Sequence, residues 1–373
     1  MASKSWLIFM LIIINWREST HGNAFTVDPP EKIIIFDPGH LGHLNITWSL
    51  PASLMNMKEC AKLYQLEYFN TYKDTWTAVR TTRRTFSAQF DLMKDIRVRV
   101  YTLLSGPCTN GIMIKSTNYT ELVQKPPSMG VVNTAVQDFV CVYHNMKYMV
   151  CNWGKHAKMP ANSQLNLYFW HRELEHAKEC SKYIISSGIR SGCNFTGMSL
   201  PDFTDINLCL NGSSPKGPLK PKYISLQIQN HVKPESTETL HLQASPDAQL
   251  KLTWDLPVGR IPRHCLEWQV EHNKEGPGGK IALKLISTGQ MSLNLPYVQD
   301  KDRNCFRVRS KLHKYCADKG FWSEWSRLAC YPEKQKVLHE EEWDMITVSV
   351  SVAFAIIAIL VLLLFLCVAM LPV

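Results

Sequence analysis

The chain has 373 residues, a formal net charge of +9 and 45% apolar residues. That length exceeds one ordinary domain and suits two or three modules of about 100 residues. Lysine and arginine are scattered and form no long block, which argues against nucleic acid and leaves a basic face for an acidic protein or a glycan beside general solubility.

At the start, Lys4 precedes an apolar run from Trp6 to Ile14, and small or polar residues follow up to Gly22. This is the charged, apolar and cleavage pattern of a secretory signal peptide over residues 1–22. The segment Leu44-Asn45-Ile46-Thr47-Trp48-Ser49-Leu50-Pro51 alternates apolar and polar residues and predicts a strand. It is followed by Cys60 and a second alternation, Tyr64-Gln65-Leu66-Glu67-Tyr68. A more diverged copy runs through Tyr148-Met149-Val150-Cys151-Asn152-Trp153 and Leu165-Asn166-Leu167-Tyr168-Phe169-Trp170. A third is Leu250-Lys251-Leu252-Thr253-Trp254-Asp255-Leu256-Pro257, with Cys265 and Leu266-Glu267-Trp268-Gln269-Val270 behind it.

The repeated tryptophans, Trp48, Trp153 and Trp254, lie 105 and 101 residues apart. That is the length of an immunoglobulin-like or fibronectin type III sandwich. Proline-rich punctuation near Gln124-Lys125-Pro126-Pro127-Ser128 and His231-Val232-Lys233-Pro234-Glu235 sets boundaries. The expected architecture is all-β, with three tandem sandwiches over residues 26–125, 128–231 and 234–333. Glu173 to Ser181 reads as a loop beside Cys180.

Between Arg307-Val308-Arg309 and the C-terminal apolar run stands Trp322-Ser323-Glu324-Trp325-Ser326. Two tryptophans three apart present their indoles on one side, where Arg307 and Arg309 slot between them as a cation–π ladder with a structural role. Thrombospondin-type repeats share the motif, but their six-cysteine pattern is missing here. Residues 346–368 carry no charge and are long enough to cross a bilayer as a helix, behind Glu340-Glu341-Glu342 and Asp344. A single-span type I topology follows, with 369–373 as a vestigial cytoplasmic end. Twelve cysteines and acceptor tripeptides at Asn45, Asn118, Asn194 and Asn211 fit an exported, glycosylated, disulfide-stapled surface.

Catalysis finds no support. His171 and His176, with Glu173 and Glu175 nearby, lack the spacing of a helical zinc motif, and His40 and His43, near Gly39 and Gly42, form a loop more than a metal site. No phosphate loop or nucleophile elbow is present, so no cofactor or metal is expected.

Cys141 and Cys151 ten apart, Trp153 two later, and Cys180 and Cys193 thirteen apart resemble the four-cysteine module of class I cytokine receptors. With the tryptophan box and an extra N-terminal sandwich, the exported part resembles the three-module subfamily of interleukin-5 and interleukin-13 receptor alpha chains. The likeness runs through Val27-Asp28-Pro29-Pro30, Phe36-Asp37-Pro38-Gly39, Cys108-Thr109-Asn110-Gly111, Asn211-Gly212-Ser213-Ser214, Gln229-Asn230-His231-Val232-Lys233-Pro234 and Gly320-Phe321-Trp322-Ser323-Glu324-Trp325-Ser326.

The resemblance implies disulfides Cys60–Cys108, Cys141–Cys151, Cys180–Cys193 and Cys265–Cys316, leaving Cys209, Cys305 and Cys330. The first two of these sit in apolar alternations and are expected as buried free thiols; an inter-chain bond through Cys330 is the rival for the last. It also implies ligand contacts from loops at the elbow between the second and third modules, placing Asp202, Phe203, Glu267, Tyr315 and Asp318 there, and strand-edge pairing by the first module. Phe203 stands where a tyrosine is expected and lacks its hydroxyl. A competing reading makes Glu267 and Asp318 solvated loop carboxylates.

The implied function is a plasma-membrane receptor for interleukin-13, with weak or no interleukin-4 binding, which acts as a decoy and recruits no Janus kinase. The family continues past its span with a short basic tail, and here only 369–373 follow. Alternatives are a signalling subunit in truncated form, a cleaved lipid-anchor signal in place of the span, and a fibronectin-type adhesion protein. Shedding of a soluble form fits the same topology.

Overall fold

The computed structural model describes residues 26–128, 130–155, 157–246, 249–275, 281–295, 303–332 and 352–363. The three alternating copies are strands, His43–Ser49, Tyr148–Gly154 and Leu250–Trp254. Each is followed by a longer one, Ala61–Asn70, Gln164–Trp170 and Leu266–Glu275. In every case the two members lie in different sheets, so their apolar faces meet across a core.

In the N-terminal sheet pair, Glu31–Phe36, His43–Ser49 and Thr85–Gln89 form one sheet. Thr75–Thr81, Ala61–Asn70, Ile96–Ser105, Ile114–Lys115 and Thr120–Gln124 form the other. Leu44, Ile46 and Trp48 from the first meet Tyr64, Leu66, Val98 and Val100 from the second. Each of these aliphatic side chains contributes about 1.5–3 kcal/mol by leaving water. The middle pair buries Cys141, Met149, Trp153, Leu167, Phe169 and Ile206. The C-terminal pair buries Leu252, Trp254, Trp268, Val270, Phe306 and Val308.

Disulfides join Cys60–Cys108, Cys141–Cys151, Cys180–Cys193 and Cys265–Cys316. A fifth, Cys305–Cys330, corrects the expectation of a free Cys305 and of an inter-chain role for Cys330. The strand Arg303–Leu312 pairs with Ala329–Tyr331, which sets the two cysteines opposite each other with 4.0 Å between Cα atoms. Cys209 is free and buried, and burial pushes its thiol up to about 11.

Of the glycosylation tripeptides, Asn118 and Asn211 are exposed while Asn45 and Asn194 are half-buried. Residues 352–363 form a helix. Among the described residues no helix is long and apolar enough to cross a membrane. The expected span 346–368 extends past the described residues at both ends, and the signal peptide 1–22 lies outside them, as does 369–373.

Candidate ligand-binding site

Two neighbouring regions hold the residues singled out in the sequence. On the strand Arg303–Leu312, Arg307, Arg309 and Lys311 alternate and therefore share one face. Directly opposite on Leu266–Glu275 stand Glu271, Gln269 and Glu267. Arg307 donates from two nitrogens to the two Glu271 oxygens at 2.7 and 2.8 Å, Arg309 donates to Gln269 Oε1 at 2.9 and 2.6 Å, and Lys311 lies 2.9 Å from Glu267. Trp325 receives the guanidiniums of Arg307 and Arg309 at 4.7 and 4.3 Å, and Trp322 receives Arg309 and Lys311 at 4.7 and 4.9 Å. The Arg307 guanidinium holds the Glu271 carboxyl below the usual carboxylate range.

The serines explain why the box runs alongside this strand. Val308 N–H donates to Ser326 Oγ at 2.9 Å and Ser326 N–H returns a bond to the Val308 carbonyl at 2.8 Å. Ser323 does the same with Ser310, at 2.9 and 2.7 Å. Both serines are buried. The box thus satisfies an edge that Ala329–Tyr331 covers only as far as Phe306. Glu267, named with the elbow contacts, stands at the end of this ladder, 2.9 Å from Lys311 and 4.0 Å from His313. Its partners Gln269, Glu271 and Lys311 were missed, although their period-2 spacing against Arg307 and Arg309 was there to be read.

The second region is the elbow. Lys233 Nζ donates to Glu324 of the box at 2.6 Å, and Phe321 N–H donates to the Val232 carbonyl at 3.1 Å. Asn230 Oδ1 accepts the N–H of Asp318 at 2.9 Å. Leu312 and Ala317, which bracket Cys316, pack into the core of the middle sheet pair. The connection between the two sheet pairs is therefore a shared core with capped backbone groups.

Asp202 and Phe203 lie on the loop leading into Asp205–Ser214. The Tyr143 hydroxyl shares a hydrogen bond between Asp202 Oδ1 at 3.3 Å and the Met146 carbonyl at 3.1 Å. Burial, with Asp202 second, pushes that hydroxyl up to about 12. Tyr143 and Met146 belong to the same core that takes up Leu312 and Ala317. Phe203 follows with a left-handed φ of 53° and is 48% exposed. A non-glycine residue held there costs about 1–2 kcal/mol.

Tyr315 is 83% exposed, with the His313 ring tilted against it at 4.5 Å between centroids. Asp318 is exposed on the same loop. The elbow thus carries two exposed aromatic residues and the exposed Asp318 carboxylate on loops anchored in one core, while the exposed Asp202 ties its loop to Tyr143. Asn145 was missed: it sits at φ 50° in a tight turn and donates to Glu235 and to the Val258 carbonyl across the elbow. No periodicity marks a turn of this kind.

The remaining candidates separate. His171 is buried and His176 exposed, so they form no site together. His40 and His43 stack on Trp170 at 4.2 and 5.2 Å, joining the N-terminal and middle sheet pairs.

Residues 138–231 match the family model described as the interleukin-6 receptor alpha chain, binding. Human interleukin-13 receptor subunit alpha-2 is 34% identical over 313 residues, covering 84% of this chain and 81% of the relative. The dog protein of the same name is 33% identical over 326 residues, covering 87% and 83%. Human interleukin-13 receptor subunit alpha-1 is 25% identical over 296 residues, covering 75% and 66%. By the extent of that identity, together with the disulfides and the tryptophan box, the chain belongs to the interleukin-13 receptor subunit alpha-2 family of cytokine receptors.

Proposed function

We propose that this protein is a type I plasma-membrane receptor that captures interleukin-13 and withholds it from signalling receptors. In this reading it comprises a signal peptide at 1–22, three sandwiches at 26–125, 128–231 and 234–333, and a span at 346–368. The observation that carries the capture is the pair of exposed rings, Phe203 and Tyr315, on loops rooted in one elbow core. Rigid aromatics give large contact area for little lost freedom, and Asp318 adds steering and register toward a basic helical ligand. Interleukin-13 is the ligand that names the relatives; weak or no binding of interleukin-4 goes with it.

Withholding follows from mass action: ligand held here is unavailable elsewhere in proportion to receptor number and affinity. The decoy reading includes no Janus kinase partner.

The test uses cells displaying the full chain, labelled interleukin-13 and interleukin-4, and a Phe203→Ala/Tyr315→Ala variant. Saturable interleukin-13 binding that weakens by about 30-fold for each ring, and so by roughly several hundred-fold in the double variant, is expected, since each hot-spot ring is worth about 2 kcal/mol. Glu271→Gln, a ladder change facing Arg307, leaves binding near wild type. No binding of interleukin-13 by the wild-type chain sinks the capture reading. An unchanged response in co-cultured interleukin-13 reporter cells, despite strong binding, sinks the withholding part alone.

A further inference from the structure

The N-terminal sheet pair carries a basic cleft that the ladder and the elbow leave unused. Between Asp74 and Asp91 the sequence holds no acidic residue; Arg80 is the penultimate residue of the strand Thr75–Thr81, and Arg83 and Arg84 lie in its connection to Thr85–Gln89, Arg84 flanking the cleft and not lining it. All three are exposed. Four other cations of this sheet pair are paired: Lys94 with Asp74 at 3.3 Å, Arg99 with Glu121 at 3.0 Å, Lys115 with Glu67 at 3.8 Å and Lys125 with Asp95 at 2.6 Å. Among the described residues, no ion pair engages Arg80, Arg83 or Arg84.

The two strands are edges of different sheets, and the open side of the sandwich between them is a cleft of about 360 Å³ lined by Arg80, Thr81, Arg83, Thr85 and Phe86. Thr81 Oγ1 accepts the Arg83 N–H at 3.0 Å, so its own proton stays free to donate outward. Phe86 closes the floor and rests on Tyr68 at 6.0 Å. Apart from the half-buried Val79 and Phe86, the lining is guanidinium forks and hydroxyls, with no fully exposed apolar side chain to serve as the dry centre that a protein partner requires.

We propose that this cleft binds a sulfated polysaccharide. A sulfate group offers oxygens that a guanidinium meets with two parallel N–H bonds, and a chain of such groups engages several forks at once without needing a sequence. Unpaired arginines gathered at one turn give the binding electrostatic character, so it weakens steeply with salt.

The experiment is binding of the detergent-solubilised full chain to immobilised heparin over a range of salt, with Arg80→Ser/Arg83→Ser/Arg84→Ser and Lys125→Ser alongside. Wild type is retained at about 150 mM salt. The triple variant loses roughly tenfold or more in affinity, and its salt slope falls by about 2–3. Lys125→Ser matches wild type. Matched thermal melting of the variants separates a lost contact from a lost fold. On the wild-type chain, soluble heparin competes and fully desulfated heparin does not. The proposal is overturned if wild type is not retained, if the triple variant binds as wild type does, or if desulfated heparin competes equally. It also falls if polyglutamate competes as well as heparin, which would assign the cleft to an acidic protein.

Discussion

Each outer sheet pair carries a cation held between two aromatic rings, and the two arrangements are built differently. In the N-terminal stack, Arg99 lies between Trp76 at 4.3 Å and Tyr119 at 4.9 Å and is paired with Glu121. Trp76, Arg99 and Tyr119 come from separate parts of the chain, on or beside strands whose backbone pairing does not draw on these side chains. The C-terminal stack adds a separate segment, the box, whose serines take up the N–H groups of Val308 and Ser310. The first stack decorates a finished sheet. The second supplies part of the sheet's own edge, so its removal exposes backbone donors as well as rings.

That difference orders the expected effects. Ser323→Ala/Ser326→Ala leaves two buried N–H groups without acceptors and should cost about 2–5 kcal/mol, read as a lower midpoint in thermal or urea unfolding. Glu271→Gln should cost about 1–2 kcal/mol at neutral pH by removing the charge facing Arg307. Because the folded-state pKa of Glu271 is lowered, its contribution is present above the usual carboxylate value near 4.3 and is lost as pH falls through the folded value. Wild type and Glu271→Gln should therefore converge in stability in strong acid.

Trp76→Ala should have the smallest effect, about 0.5–1 kcal/mol, because Trp76 is 38% exposed. The partial exposure of Arg99 and Glu121 means that part of this effect should fade at high salt. A Trp76→Ala cost equal to that of the serine pair would break the comparison. A Glu271→Gln profile parallel to wild type down to strong acid would remove its electrostatic half.

The candidate site was legible unevenly. Arg307, Arg309, Trp322 and Trp325 were readable because the ladder lies within a short stretch of chain and its spacing carries the geometry. Asp202, Phe203, Tyr315 and Asp318 were named by family likeness, and their loops meet a common core. Glu267 was also named by family likeness, and its place in the alternation Leu266-Glu267-Trp268-Gln269-Val270 did not show that strand register sets it against Lys311. Cys305–Cys330 went unread because Ala329–Tyr331 is only three residues long and shows no alternation to flag it as a partner strand.

Sequence by itself determined what local periodicity and composition encode: the repeated strand pairs with their buried tryptophans, and the serine-tryptophan spacing. Alternation encodes which side of a strand faces inward, and nothing more is needed for that. Only the tertiary structure decided what depends on register and on contacts between distant segments. Among these are the fifth disulfide, the tether from Tyr143 to Asp202, the N-terminal stack and the elbow core that takes Leu312 and Ala317 from the neighbouring sheet pair. Such contacts join residues tens of positions apart, and they form only when two faces already shaped by packing come together.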